Sequence, residues 1–300
     1  MKRIIYIFVL LAFAININGQ VTFAFGGGID NTSMKSSVEN NISKLLTEMN
    51  NAEKDKRVLN LNGINITTTA RERLSNLWNH LHFRCEWKSN VQYCLKDFAG
   101  YEVRGIPVQV IPFDSTYKGQ LHNELTISFS ERGIINGVRM SLDDKIYQDQ
   151  ISGFNVNDIS IRRELLKFVE DLRSYYQEKN ISAIDKIFSE QSLMTGRKNP
   201  LSQQHRKQYI RNLGHIFRNN RYINVEFSDI RVMFHPAKEN CYALRLRQTI
   251  KNDSFSDDGY LFMFWNFTNK KYPKIEIVEW IPYNENLTEE DLPKPTDFEF

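Results

Sequence analysis

The residues of this chain with the clearest capacity for proton chemistry lie in its last third. Glu279 stands in KIEIVEWIP, where strand alternation sets Glu276, Val278 and Trp280 against Ile275, Ile277, Glu279 and Ile281. A carboxylate on an otherwise apolar face has its charged form disfavoured, which raises its pKa and lets it act as a general acid or base. The alternative is a place at the sheet rim, paired with an arginine of the neighbouring strand. Arg247, in CYALRLRQT, shares a face with Arg245, opposite Leu244 and Leu246. His235 precedes Pro236 at the end of a strand, either as a turn residue or as a proton carrier. Tyr209, Tyr175 and Tyr176 lie on helical stretches from which a hydroxyl could reach a ligand. Tyr209, His235, Arg247 and Glu279 are therefore the candidate ligand-binding residues, and a proton-transfer enzyme would draw on Glu279, His235 and Tyr209.

Other chemistries lack their motifs. The sequence contains no HExxH, no Walker motif and no nucleophile elbow. The glycine run at 26–28 is not followed by Lys-Ser/Thr, and SDDG at 256–259 lacks the ligand run and terminal Glu of a calcium loop. No metal and no cofactor is expected. Asp257, Asp258 and Gly259 read instead as a turn, short polar side chains and a positive φ, placed just outside the strand that follows. Cys85 and Cys94 flank EWKSNVQY, a spacing that adjacent strands of a hairpin could bridge by a disulfide, which would leave Cys241 over.

The elements that must position these groups follow from periodicity. With 41% hydrophobic and 25% charged residues the chain reads as globular. Residues 1–19 carry Lys2 and Arg3, an apolar run from Ile4 to Ile15 and a small-residue end, the pattern of a signal peptide, too short for a comfortable membrane span. Export is expected, to the periplasm or cell envelope, with no stable membrane insertion after cleavage. Without the leader, 37 basic residues face 36 acidic ones, and their intermixing excludes the basic stripe of a nucleic-acid binder.

Residues 20–33 read as a flexible lead-in. Residues 34–152 read as an α+β domain: a helix carrying Val38, Ile42, Leu45, Leu46 and Met49, a second carrying Leu74, Leu77, Trp78 and Leu81, then strands at 83–95, 101–111 and 124–142. A break at 152–158 precedes a second α+β domain over 158–284. There a long helix presents Leu165, Phe168, Val169, Leu172, Tyr175 and Tyr176. ISAIDKIFSE, a brief strand SLMTG and the helix SQQHRKQYIRNLGHIFRNN come next, then four long strands. The shared order makes the first domain either a diverged copy of the second or an unrelated α+β unit. Residues 285–300 read as a loose acidic tail. Ser115, in FDST, resembles an aspartate-hydroxyl glycosylation site, and the final FEF reads as plain tail.

The stretches LLKFVEDLRSYYQEKNISAIDKIFSEQSLMTG, RNNRYINVEFSDIRVMFHP and SDDGYLFMFWNFTN resemble the nuclear transport factor 2-like, or SnoaL-like, family, and the whole chain is similar to a set of exported proteins of Bacteroidales-type bacteria. The resemblance implies a cone for 158–284, helices packed in a curved antiparallel sheet around a pocket. It says little about function, because one fold hosts many activities. Two functions remain open. One is a non-catalytic module that binds a small apolar ligand or an envelope protein; the other is a proton-transfer enzyme of the isomerase, dehydratase or cyclase kind. The strand at 260–267 is apolar on both faces, which places it mid-sheet with both faces covered. A homodimer through the outer sheet face is one way to cover the second.

Overall fold

The computed structural model describes residues 20–96, 100–113, 117–152, 156–196, 199–235, 237–269 and 273–297. The leader and Ser115 lie outside them. The chain divides into two compact units: residues 1–113 with 121–143, and residues 114–120 with 144–300. The division thus falls at Asp143/Asp144, ahead of the expected break, and residues 117–120 of the first half belong with the second.

In the first unit a helix α1 (Thr32–Lys54) starts at Asn31, whose side chain accepts from Met34 N, and a helix α2 (Thr68–His80) starts at Thr67, which caps Ala70 N in the same way. Their apolar stripes are buried, from Val38 to Met49 on α1 and at Leu74, Leu77 and Trp78 on α2. They pack on a six-stranded sheet of β1 (Thr22–Gly27), β2 (His82–Cys85), β3 (Ser89–Lys96), β4 (Tyr101–Ile111), β5 (His122–Phe129) and β6 (Ile135–Met140). Its order is β1-β3-β4-β5-β6, with β2 also on β4. The segment expected as a flexible lead-in is β1: Phe23 and Phe25 alternate into the core, and the strand runs parallel to β3.

The expected Cys85–Cys94 disulfide is absent; both residues are buried, unbridged thiols. Their strands do not form a hairpin. Both lie along β4, with Cys85 opposite Val108 and Cys94 opposite Val103. That spacing puts them roughly 16 Å apart along the strand, far beyond disulfide reach.

The second unit comprises α3 (Asp144–Ser152), α4 (Val156–Gln177), α5 (Ile181–Ile187), β7 (Phe188–Gly196), β8 (Asn199–His205), α6 (Arg206–Asn219), β9 (Ile223–Phe234), β10 (Cys241–Asn252), β11 (Ser256–Asn266) and β12 (Lys274–Pro282). The strand order is β8-β7-β12-β11-β10-β9, antiparallel except where β12 meets β7. Both units are α+β, but the second does not repeat the first strand for strand. In the first unit the parallel pair joins the opening strand to the start of the meander; in the second it joins the opening strand to the end. Residues 202–205, expected as the start of a helix, belong instead to β8, an edge strand paired with β7.

β11 lies mid-sheet, as its two apolar faces require. Phe168 of α4 meets the Trp265 ring, so the face carrying Leu261, Met263 and Trp265 is the helix side. The other face carries Phe262 and Phe264, clustered with Cys241 and Ala243. The acidic turn ahead of it is a correction: Ser256 to Gly259 pair with Lys251 to Gln248, so the strand begins with them. The turn is made upstream, where Asn252 Oδ1 accepts from Ser254 N and Phe255 N. Asp258 is tolerated in the ladder because Arg247 of β10 meets it, and cross-strand charge pairing outweighs its poor strand propensity. Gly259 is needed for close approach, not for φ: a Cβ there would stand 2.4 Å from Ile281 O and 2.6 Å from the Trp280 ring.

Nor is the tail loose. Two 3-10 turns, Glu289–Asp291 and Pro295–Asp297, form in it, Leu292 is buried, and Glu289 is bonded to Arg245.

Candidate functional site

The four residues singled out by sequence do not converge. Tyr209 lies on α6 with its hydroxyl bonded to that of Tyr176 on α4. Burial pushes both phenols up, and the rings of Phe188 and Phe217 pack beside them. The pair stays protonated and satisfied at neutral pH, so neither member is a proton acceptor. His235 is a turn residue: its Nδ1 accepts from Ala237 N at 3.2 Å and its ring stands edge-on to Phe264.

Glu279 is 7 % exposed, but a bulge changes its face. Ile275 pairs with Trp265 and Ile277 with Phe264, two residues of β12 spent on one step of β11. Glu279 consequently pairs with Phe262, on the face turned away from α4. Arg247 is engaged by other groups: its Nε and Nη2 donate to the Asp258 carboxylate at 3.1 and 2.6 Å, and its guanidinium lies over the Tyr283 ring.

The Arg247 hydrogen bonds hold the Asp258 carboxyl below its ordinary value of 3.8, against a smaller opposing effect of burial. A depressed folded pKa adds stability that is complete above the unfolded value and lost as pH falls through the folded one. Urea midpoints recorded against pH should therefore show a component that is complete above about pH 4 and is lost as pH falls below it. Asp258→Asn should remove that component and leave the rest of the profile; an unaltered profile would refute the assignment.

A buried polar stripe on α4 escaped the sequence reading. Glu170, Arg173, Ser174 and Gln177 recur at helical spacing and are all buried. Arg173 Nε donates to Val225 O at 2.8 Å, and burial lowers its pKa. Tyr117, brought from the segment 117–120, donates to Asn224 Oδ1 at 3.1 Å, and Asn224 Nδ2 donates to Glu226. Arg173 thus meets one backbone acceptor of β9, the strand at the sheet's edge, where unpaired backbone groups are open to another chain. Polar residues at that spacing look like a solvated helix face, so periodicity alone gives no sign of it.

What the helix side of the sheet does offer is a cleft of about 350 Å³ between α4, the end of α5 and the adjoining ends of β11 and β12. Phe168, Trp265 and Phe267 supply its apolar wall, and Lys167, Lys186 and Lys274 stand around it with Glu164 and Asp171. Trp265 is 2 % exposed, and its Nε1–H is buried without a hydrogen-bond partner. A buried indole N–H ordinarily has an acceptor, and leaving one unmet costs about 1–3 kcal/mol. The cleft thus joins an aromatic wall to a charged rim, and one residue of that wall keeps a buried donor unmet. Among the described residues no group of three or more His, Cys, Asp or Glu stands close enough to hold a metal ion. No helix of the described residues is long and apolar enough to cross a membrane.

No protein-family profile matches the chain, and no curated protein does. Solved structures do. The chain is similar to Bd1075 of Bdellovibrio bacteriovorus at 17% identity and TM-score 0.36, over 50% of this chain and 47% of that one, so it spans about half of that protein's length. It is similar to a proposed scytalone dehydratase of Novosphingobium aromaticivorans at 14% identity and TM-score 0.38, over 42% of this chain and 87% of that one. A nuclear transport factor 2-like protein of Cytophaga hutchinsonii aligns at 11% identity and TM-score 0.34, over 43% of this chain and all of that one.

Proposed function

We propose that this chain is an exported, non-catalytic binding module of the cell envelope, built on a nuclear transport factor 2-like second unit. Its Trp265 cleft takes a small, largely apolar molecule carrying a hydrogen-bond acceptor. The observation that carries this reading is the aromatic wall of Phe168, Trp265 and Phe267 in that cleft, with the Trp265 Nε1–H buried and unpartnered. Such a site selects by shape and by one hydrogen bond. Export rests on the charged and apolar order of residues 1–19. Proton transfer is the weaker reading because Tyr209 is spent on Tyr176, His235 on its turn, and Glu279 lies on the sheet face turned away from α4.

The test uses a neutral probe, 1-acetonaphthone, followed by tryptophan fluorescence and isothermal titration. Saturable binding is expected, and Trp265→Phe, which keeps an aromatic wall and removes the N–H, should weaken it about tenfold, the worth of one hydrogen bond. Equal affinity in the variant, or no saturation in the wild type, would refute the reading.

A further inference from the structure

A second cleft, of about 710 Å³, opens beside the edge strand β9 and is walled by α3, α4 and the tail. Its chemistry differs from that of the Trp265 cleft. Strand β9 carries a bulge between Ser228 and Arg231, with Asp229 held at φ 44°, and beyond it Arg231 falls directly opposite Arg245 of β10. Two guanidinium groups at directly opposed positions of an antiparallel pair repel each other, so anions beside them stabilise the arrangement, and Asp229 Oδ1 accepts from Arg231 Nε at 3.3 Å.

The tail supplies a second anion, the one that reaches Arg245. Glu289 Oε2 accepts from Arg245 Nη2 at 2.7 Å, and its other oxygen stands 4.0 Å from Arg231 Nη2. The fit is incomplete. Arg245 is 4 % exposed and its Nε–H is buried with no partner, although Nε–H and one Nη–H lie side by side and match the two oxygens of a single carboxylate. Glu289, 65 % exposed at its side chain, rides on a short turn and spends one oxygen on this arginine. A carboxylate free of the chain can take both donors and remove the unmet one. Ile146, Ile230 and Met233 give such a ligand an apolar wall in the same cleft.

We propose that this cleft binds a small organic carboxylate between Arg231 and Arg245, and that Glu289 of the tail holds the place until the ligand displaces it. The site is separate from the Trp265 cleft and does not depend on the reading given for that one.

Isothermal titration with succinate tests it on the full chain. Glu289→Gln removes the built-in competitor and should tighten succinate binding about three- to fivefold, the worth of an exposed ion pair. Arg245→Lys keeps the charge but loses the paired donors and should weaken binding about tenfold. Should that buried substitution impair folding, Arg231→Gln at an exposed position provides the same direction, about a threefold loss. Trp265→Phe should leave succinate affinity unchanged, and Glu289→Gln should leave acetonaphthone affinity unchanged, so the two sites fail independently. Binding that does not respond to Glu289→Gln, or no succinate binding in that variant, would overturn the proposal. Inorganic phosphate competing as well as succinate would overturn the carboxylate assignment.

Discussion

Glu102→Gln is expected to lower the stability of the first unit by about 3–5 kcal/mol, the cost of breaking a buried ion pair from one side. Glu102 Oε2 accepts from Arg139 Nη2 at 2.5 Å, and Arg104 Nη1 stands 3.6 Å from the other oxygen. Arg139 also donates to Ser128, directly opposite Glu102 on β5. Glu102, Arg104 and Arg139 are all buried, so removing the negative charge leaves two cations in a poorly solvating interior. Guanidinium chloride unfolding followed by near-ultraviolet circular dichroism reports the loss. Adding Arg139→Met to Glu102→Leu should recover part of it, because apolar groups of similar volume replace a buried pair at little cost. A shift under 1 kcal/mol for Glu102→Gln would mean that water reaches the pair.

Phe262→Ala should lower the stability of the second unit by about 3–5 kcal/mol through lost transfer energy and an unfilled cavity. Phe262 is fully buried and packs with Cys241, Ala243 and Phe264, with Met233 and Ile277 against them. Phe262→Leu should cost less than about 1.5 kcal/mol, since most of the volume is kept. Trp265 and Trp280 lie in the same unit and Trp78 and Trp87 in the first, so the loss is read from the emission change that remains in a Trp78→Phe, Trp87→Phe background. Equal losses in the two variants would mean that shape, not volume, sets the cost.

Periodicity was sufficient for much of the fold. The helix stripes of Val38 to Met49 and of Leu165 to Tyr176, and the four long strands after Asn220, stand where the spacing places them, because burial of one face leaves a regular mark in sequence. The two apolar faces of β11 were equally legible, and they required a central strand. The strands that sequence missed are those whose signal is weak: β8 is polar and at the edge, and β1 is short and ends in glycines.

The site was far less legible, for reasons that lie between strands. A bulge in β12 moves Glu279 to the other face, and no residue type announces it. Asp258 reads as a turn residue until Arg247 is known to stand diagonally across the ladder. The unspent donors of Trp265 and Arg245 exist only after packing has removed every other partner. By itself the sequence determined which stretches are helix or strand and that the chain is α+β, since both are properties of local spacing. Tertiary structure alone decided which arginine meets which carboxylate, that Cys85 and Cys94 stay apart, and where two buried donors were left unmet, because hydrogen-bond partners are settled by register and burial across segments far apart in the chain.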